Sequence, residues 1–251
     1  MGSSSPSLTG CIVCGQDLVY RTTAEEMTCV LCGARRRTPA ACTAGHYVCD
    51  RCHAETARAR IELHCMSSGE RDPVALATAL MGLEGVPMHG PEHHFLVAAA
   101  LLTAHCNVAQ EHSRLRAWLA EAQRRAEAVP GGFCGFQGAC GAGIGTGIYA
   151  SVVSGATPLA GEAWGQANRT TARSLDTIGR VGGPRCCKRT TWLAILAAAR
   201  GAREAFGLAI PARGAECEFH GRNAQCLHER CPFFRREICR ADVGDNPTTA
   251  H

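Results

Sequence analysis

The sequence is poor in aromatic residues: Phe, Trp and Tyr make up 5% of its 251 residues. That scarcity, beside abundant Ala and Gly, argues against a β-sandwich and for helices packed closely through small side chains. Long apolar runs are missing too. No stretch reaches the ~18 uninterrupted apolar residues of a membrane helix, so no membrane span is expected. Residues 1–10 are Ser-rich and lack an apolar stretch, so no secretory signal is expected, and Pro6 stands where a myristoylation signal wants Ser or Thr. Charge of one sign is not in excess. The formal net charge of +4 neither demands nor excludes nucleic acid, which is not the expected partner.

Cysteine is what the chain has in excess, with seventeen residues. The count is odd, several pairs stand as C-x-x-C, and no secretory signal accompanies them. These features point to a cytoplasmic protein whose thiols bind metal rather than form disulfides. Cysteine density also divides the chain. Residues 1–66 are expected to hold zinc-ribbon-like metal modules. Residues 67–215 are expected to form a mainly α, Gly/Ala-rich domain, and residues 216–251 a four-cysteine module. A hydrophobic share of 46% is enough for a core in the central part.

The first motif is Cys11-Ile-Val-Cys14-Gly and Cys29-Val-Leu-Cys32-Gly, with fourteen residues between the pairs. Four thiolates at this spacing suit a closed tetrahedral Zn²⁺ site, and Leu18–Tyr20 with Met27–Thr28 supply short strands for a ribbon. A rubredoxin-like iron site uses similar spacing. A second site is expected from Cys42, Cys49 and Cys52 with His46 or His53, and Cys65 is a further candidate. His53-Ala-Glu55 opens like a zinc deaminase motif, but no Pro-Cys-x-x-Cys follows. In the last zone Cys217, Cys226, Cys231-Pro232 and Cys239 can enclose either Zn²⁺ or a [4Fe-4S] cluster, and the Cys-Pro pairing leans toward iron.

In the central zone Asp72-Pro73 suits a helix start. Residues 92–105 are apolar on nearly all sides and predict a buried helix headed by His93 and His94. Glu111 to Ala128 predicts a charged surface helix. Tyr149 to Val153, Trp164 to Ile178 and Thr190 to Phe206 predict three more. Two cysteine segments stand where Gly-rich loops enter helices: Phe133-Cys134 through Cys140-Gly141-Ala142-Gly143-Ile144-Gly145-Thr146-Gly147, and Gly182-Gly183-Pro184-Arg185-Cys186-Cys187-Lys188-Arg189-Thr190. Helix N-termini present free N–H groups and positive potential, which suit a thiolate or an anionic ligand. The spacing of the glycines matches no nucleotide-binding loop. It also fits close helix packing.

These segments resemble motifs of the iron–sulfur L-serine dehydratases. Ala139-Cys140-Gly141-Ala142-Gly143 through Gly145 resembles that family's Gly-Cys-Gln-Ala-Glu-x-Gly segment. Ser154-Gly155-Ala156-Thr157-Pro158 is similar to its Gly-Gly-Thr-Pro turn, and Pro184-Arg185-Cys186-Cys187-Lys188-Arg189-Thr190 to its Pro-Cys-x-Lys-Arg-Asn segment. The resemblance implies a [4Fe-4S] cluster with one open iron, held by Cys140 and Cys186. The family's third cysteine falls on Leu175 here, and Cys134 or Cys187 would replace it. It further implies a carboxylate- or sulfur-containing substrate, countered by Arg185, Lys188 or Arg189. His93 or His94 would act as general base, and hydroxide or sulfide would be lost. The whole chain also resembles a cysteine-rich family described only as a domain of unknown function. The leading expectation is thus an iron–sulfur lyase or sulfur-handling enzyme. Two others stand beside it: a Zn/Fe–S accessory or electron- or cluster-transfer protein working with a redox or sulfur partner protein, and a nucleic-acid binder using the ribbon and Arg35 to Arg37.

Overall fold

The computed structural model describes residues 11, 13–14 and 16–234, apart from the side chains of Arg51, His53, Ala54, Glu55 and Thr56. Cys239 therefore lies outside the described residues. The chain is mainly helical: among the described residues one antiparallel hairpin precedes eight α-helices. Strand β1 (Leu18–Thr28) and strand β2 (Arg35–Cys42) pair with Leu18 opposite Cys42 and Thr28 opposite Arg35, and the register shifts between Tyr20 and Glu25. The two short strands expected at Leu18–Tyr20 and Met27–Thr28 are thus the ends of one irregular strand.

The helices are α1 (Asp50–Ser67), α2 (Pro73–Gly82), α3 (Glu92–Ala109), α4 (His112–Ala126), α5 (Phe133–Phe136), α6 (Gly141–Ser154), α7 (Gly161–Val181) and α8 (Cys187–Phe206). Asp72 caps α2, its carboxylate accepting the Val74 and Ala75 amides at 2.8 and 3.3 Å. Helix α3 is the axis of the domain. It is buried from Glu92 to Asn107, and α1, α2, α4, α6 and α8 pack around it. Its sequence is apolar all round, and such a helix is stable only when neighbours cover every face. Helix α4 instead buries one stripe, Leu115, Leu119, Ala122 and Ala126, and turns Arg114, Arg116 and Arg124 to solvent. Helix α1 joins the hairpin to this domain, with Ile61 and Cys65 in the common core.

The run Gly141–Gly147 is helix, not loop. Glycines two residues apart on an α-helix point about 200° from each other, so alternate glycines mark opposite faces. A Cβ on Gly145 would stand 2.6 Å from the His94 carbonyl oxygen and 3.1 Å from Val97 Cβ of α3. A Cβ on Gly143 would stand 2.6 Å from Leu175 Cδ2 of α7, and Gly147 meets Thr171 of the same helix. Helix α6 is therefore a small-residue layer pressed between α3 and α7. We expect Gly145→Ala to lower stability by about 1–3 kcal/mol in urea unfolding, because backbone must give way. Gly161→Ala, which would meet nothing within 4 Å, should stay within about 0.5 kcal/mol of the parent protein. Equal midpoints for the two variants would rule out this packing account.

Candidate metal centres and a thiol-lined cavity

Two groups of four ligand atoms lie mutually within 4.8 Å among the described residues: Cys11, Cys14, Cys42 and His46, and Cys29, Cys32, Cys49 and Cys52. Either could bind a metal ion. This pairing differs from the ribbon expected from Cys11, Cys14, Cys29 and Cys32, and the hairpin gives the reason. The two C-x-x-C knuckles sit at opposite ends of β1. The first enters beside Leu18, whose antiparallel partner is Cys42. The second forms the turn between the strands, where the Val30 amide donates to the Tyr47 carbonyl at 2.9 Å and so draws in the start of α1. Each knuckle thus takes its remaining ligands from the end of β2 onward, Cys42 and His46 for the first and Cys49 and Cys52 for the second.

The ligand atoms of each group stand close together. Cys14 Sγ lies 3.5 Å from Cys42 Sγ and 3.2 Å from His46 Nδ1. Cys32 Sγ lies 3.7 Å from Cys49 Sγ. Burial alone would raise the Cys29 thiol, yet the amides of Cys49, Cys32 and Leu31 outweigh it and bring it down to about 6. At Cys42, likewise, burial works against the Ala44 amide and the neighbouring Cys14, Cys11 and His46, and the thiol falls to about 7. Amide donors stabilise thiolates, and a divalent cation relieves the repulsion among them. The second site expected from Cys42, Cys49 and Cys52 with His46 or His53 is split, Cys42 and His46 joining the first knuckle and Cys49 and Cys52 the second, and the His53 side chain is outside the described residues. Cys65 is buried in the core, where burial pushes its thiol up to about 12.

Between these modules and the helical domain lies a cavity of about 530 Å³. Cys134 of α5, Cys140 at the N-cap of α6 and Cys187 at the start of α8 all line it, with His89, His93, His94, Arg185 and Tyr20. The three thiols are electrostatic neighbours. Burial first, and then the charge of Cys140, push Cys187 up to about 12, and Cys140 also raises Cys134. Cys186 does not share the cavity. It caps α8, its sulfur accepting the Arg189 amide at 3.5 Å, and it faces the segment that carries Cys217 and Cys231. The vicinal pair therefore points two ways, and Cys187 stands where Cys186 was expected. Successive side chains at a helix start diverge by about 100°, which makes this split unavoidable.

His93 and His94 are both buried at the head of α3. Their Nδ1 atoms lie 3.1 Å from the carbonyls of Gly90 and Val129, so each ring donates there and keeps its Nε2 lone pair. His93 Nε2 has no hydrogen-bond partner among the described residues. Burial is the main cause that lowers both histidines, His93 well below 6.5. His89 was not singled out in the sequence, although a His in the Pro/Gly-bounded loop before a buried helix was a usable signal. It lies 3.2 Å from Asn223 Oδ1 through Nε2, and its Nδ1 accepts the Cys187 amide at 3.5 Å.

The expected cationic residues separate. Arg185 lines the cavity, with its guanidinium on the Tyr20 hydroxyl at 2.5 Å and over the Tyr20 ring at 4.4 Å. Lys188 does not line it. Its ammonium is buried and donates to the carbonyls of Met81 and Pro87 at 3.1 and 2.9 Å, and burial lowers it to about 8. Arg189 closes its own loop by donating to the Gly182 and Pro184 carbonyls at 2.8 and 2.6 Å. The side chains of Arg35 and Arg37 alternate with Arg36 along β2, so they do not make one three-arginine patch.

Two expectations follow. In the Cd²⁺-substituted protein, ¹¹³Cd NMR should lose one resonance with Cys14→Ser and a different one with Cys32→Ser, whereas a ribbon would lose the same resonance from both. The second concerns pH. Burial lowers His89 from 6.5 to about 4 and lowers His93 and His94 as well. The unfolded chain thus binds protons that the fold does not. The stability present above pH 6.5 is lost as pH falls toward 4. Urea midpoints should drop across that window, and His89→Gln should flatten the drop. An unchanged profile in that variant would show that His89 is not held neutral.

No described helix is long and apolar enough to cross a membrane. No curated protein and no solved structure matches the chain. Residues 61–234, more than half of the chain, match the model of DUF5714, a family of unknown function, and the chain belongs to that family.

Proposed function

We propose that the protein is an iron–sulfur-dependent enzyme, lyase-like or sulfur-handling, whose reaction centre is the cavity lined by Cys134, Cys140 and Cys187. The observation that carries this reading is the convergence of three thiols from three elements on one cavity, beside a buried His93 nitrogen without a partner. The donor set fits the group. Three thiolates can hold three irons of a [4Fe-4S] cluster, leaving one coordination position for a substrate. Such a cluster would supply a Lewis-acidic iron that polarises a hydroxyl or thiol leaving group.

The chain's own residues supply the rest. Arg185, steadied by Tyr20, receives the substrate carboxylate. His93 or His94, neutral and tautomerically fixed by a backbone carbonyl, accepts a proton at Nε2. The C–H bond and the C–O or C–S bond break, a C=C bond forms, and water or hydrogen sulfide leaves. Zn²⁺ is the reading for the two N-terminal groups, whose closed four-ligand sets leave no position for substrate. A metal-loaded accessory protein is the second reading. It is favoured by Val13, Val30 and Leu31, which are exposed on the two knuckles as apolar tips for a redox or sulfur partner protein.

The test begins with anaerobic purification and measurement of iron, sulfide and zinc. Iron and sulfide should be lost from Cys134→Ser, Cys140→Ser and Cys187→Ser while zinc is kept. Hydroxy- and mercaptocarboxylates should then shift the electron paramagnetic resonance of the reduced protein. His93→Gln or His94→Gln should keep the iron and lower turnover by at least about 100-fold. Absence of iron after reconstitution overturns the reading. Iron that no small carboxylate perturbs overturns the enzyme in favour of the accessory protein.

A further inference from the structure

We infer that Cys186, Cys217, Cys226 and Cys231 hold a further metal centre, an iron–sulfur cluster distinct from the cavity, in which Cys186 is the ligand given by the helical domain.

Packing brings these cysteines to one end of α8. Phe219 and Phe233, which follow Cys217 and Cys231 by two residues, lie on the Trp192 ring of α8 with centroids 6.0 and 5.1 Å away. The Cys217 amide donates to the Phe233 carbonyl at 2.7 Å, and Cys217 bridges to Phe234, so the two ends of the segment lie side by side. Cys217 and Cys231 pack against the core that contains Cys186. Burial raises both the Cys217 and the Cys186 thiol, and the neighbouring Cys186, Cys231 and Cys226 add to this at Cys217, as Cys231 does at Cys186.

The backbone around these sulfurs repeats what the N-terminal groups do. In those groups a thiol accepts the amide two residues ahead, as Cys42 does from Ala44 at 3.3 Å, Cys29 from Leu31 and Cys32 from Ala34. Cys226 accepts the His228 amide at 3.3 Å, Cys217 that of Phe219, and Cys186 that of Lys188. The core cysteines Cys65 and Cys106 show no such amide donor. At Cys186 and Cys217 burial outweighs these amides and leaves the thiols raised, so the amide donors place the sulfurs for a cation that would displace their protons.

Spacing separates the metal types. Thiolates about 2.3 Å from one zinc must stand within ~4 Å of each other. The N-terminal ligands form such tight groups, and these four cysteines do not fall mutually within the same 4.8 Å. Round a [4Fe-4S] cluster each thiolate holds a different iron, so the sulfurs stand farther apart. The assignment also changes the expected set: Cys186 takes the place in which Cys239 was anticipated.

The experiment uses the full chain, purified without oxygen, with iron, sulfide and zinc measured for Cys186→Ser, Cys217→Ser, Cys239→Ser, Cys187→Ser and the Cys186/Cys187 double variant. Cys186→Ser and Cys217→Ser should lose the same amount of iron and sulfide, and Cys239→Ser none. The double variant should lose the sum of its two singles if the cavity also holds a cluster. If Cys187→Ser loses nothing while Cys186→Ser loses iron, the cavity reading fails and this one stands. Metal retained in Cys186→Ser, or lost from Cys239→Ser, overturns the ligand set, and loss of zinc instead of iron overturns the cluster. Should a variant not fold, thiol alkylation of the parent protein decides. Cys226 and Cys231 should react slowly when metal-loaded and quickly after iron is chelated, and quick reaction in both states overturns the proposal.

Discussion

Helix α6 lies directly on α3 because Gly141 and Gly145 put no side chain between them. The His94 ring presses on Gly141, and the His94 carbonyl faces Gly145. Side chains of ordinary size would push the helices apart. At this separation the N-terminal ends of α3 and α6 share one opening, and the N-terminus of α8 meets them there. His93, His94, Cys140 and Cys187 therefore face a common volume although they stand far apart in the chain. The cavity is a consequence of helix packing before it is a consequence of any metal.

The N-terminal module solves a different problem. A two-stranded hairpin buries too little to be stable alone. Here its two ends are tied off by interleaved ligand groups, and the second group includes Cys49 and Cys52 at the start of α1. Asp50 adds a hydrogen bond from the Gly131 amide at 3.1 Å. Metal binding at these ligands would thus couple hairpin, α1 and cavity wall in one unit, since ligand-binding free energy in such modules is folding free energy. Tyr20, from the irregular part of β1, reaches Arg185 and closes the wall on the other side.

Charge placement in the cavity follows from desolvation. Burial lowers the histidines, Lys188 is given carbonyl partners away from the cavity, and Arg185 lines it with the Tyr20 phenol and ring face beside its guanidinium. An arginine cannot shed its proton on burial, so it is the cation suited to such a place. Burial raises the Cys134 and Cys187 thiols, so metal binding at these two would release protons and depend on pH.

Much of this was legible in the sequence. Hydrophobic periodicity is local, and it marked α3 as buried, α4 as amphipathic and Asp72 as a cap. The C-x-x-C knuckles are also local, because a turn of four residues brings its own two sulfurs together. What knuckle pairs with what is not local. It depends on hairpin register, and only the antiparallel pairing of Leu18 with Cys42 separates Cys11 and Cys14 from Cys29 and Cys32. The direction in which Cys186 and Cys187 point depends on where α8 begins, and the fate of Lys188 on carbonyls contributed by residues 81 and 87. Residue types and their spacing determined that this chain is mainly helical and rich in thiols spaced as metal ligands. Tertiary structure alone decided which thiols meet, because side chains distant in sequence are brought together by packing, whose geometry no single segment contains.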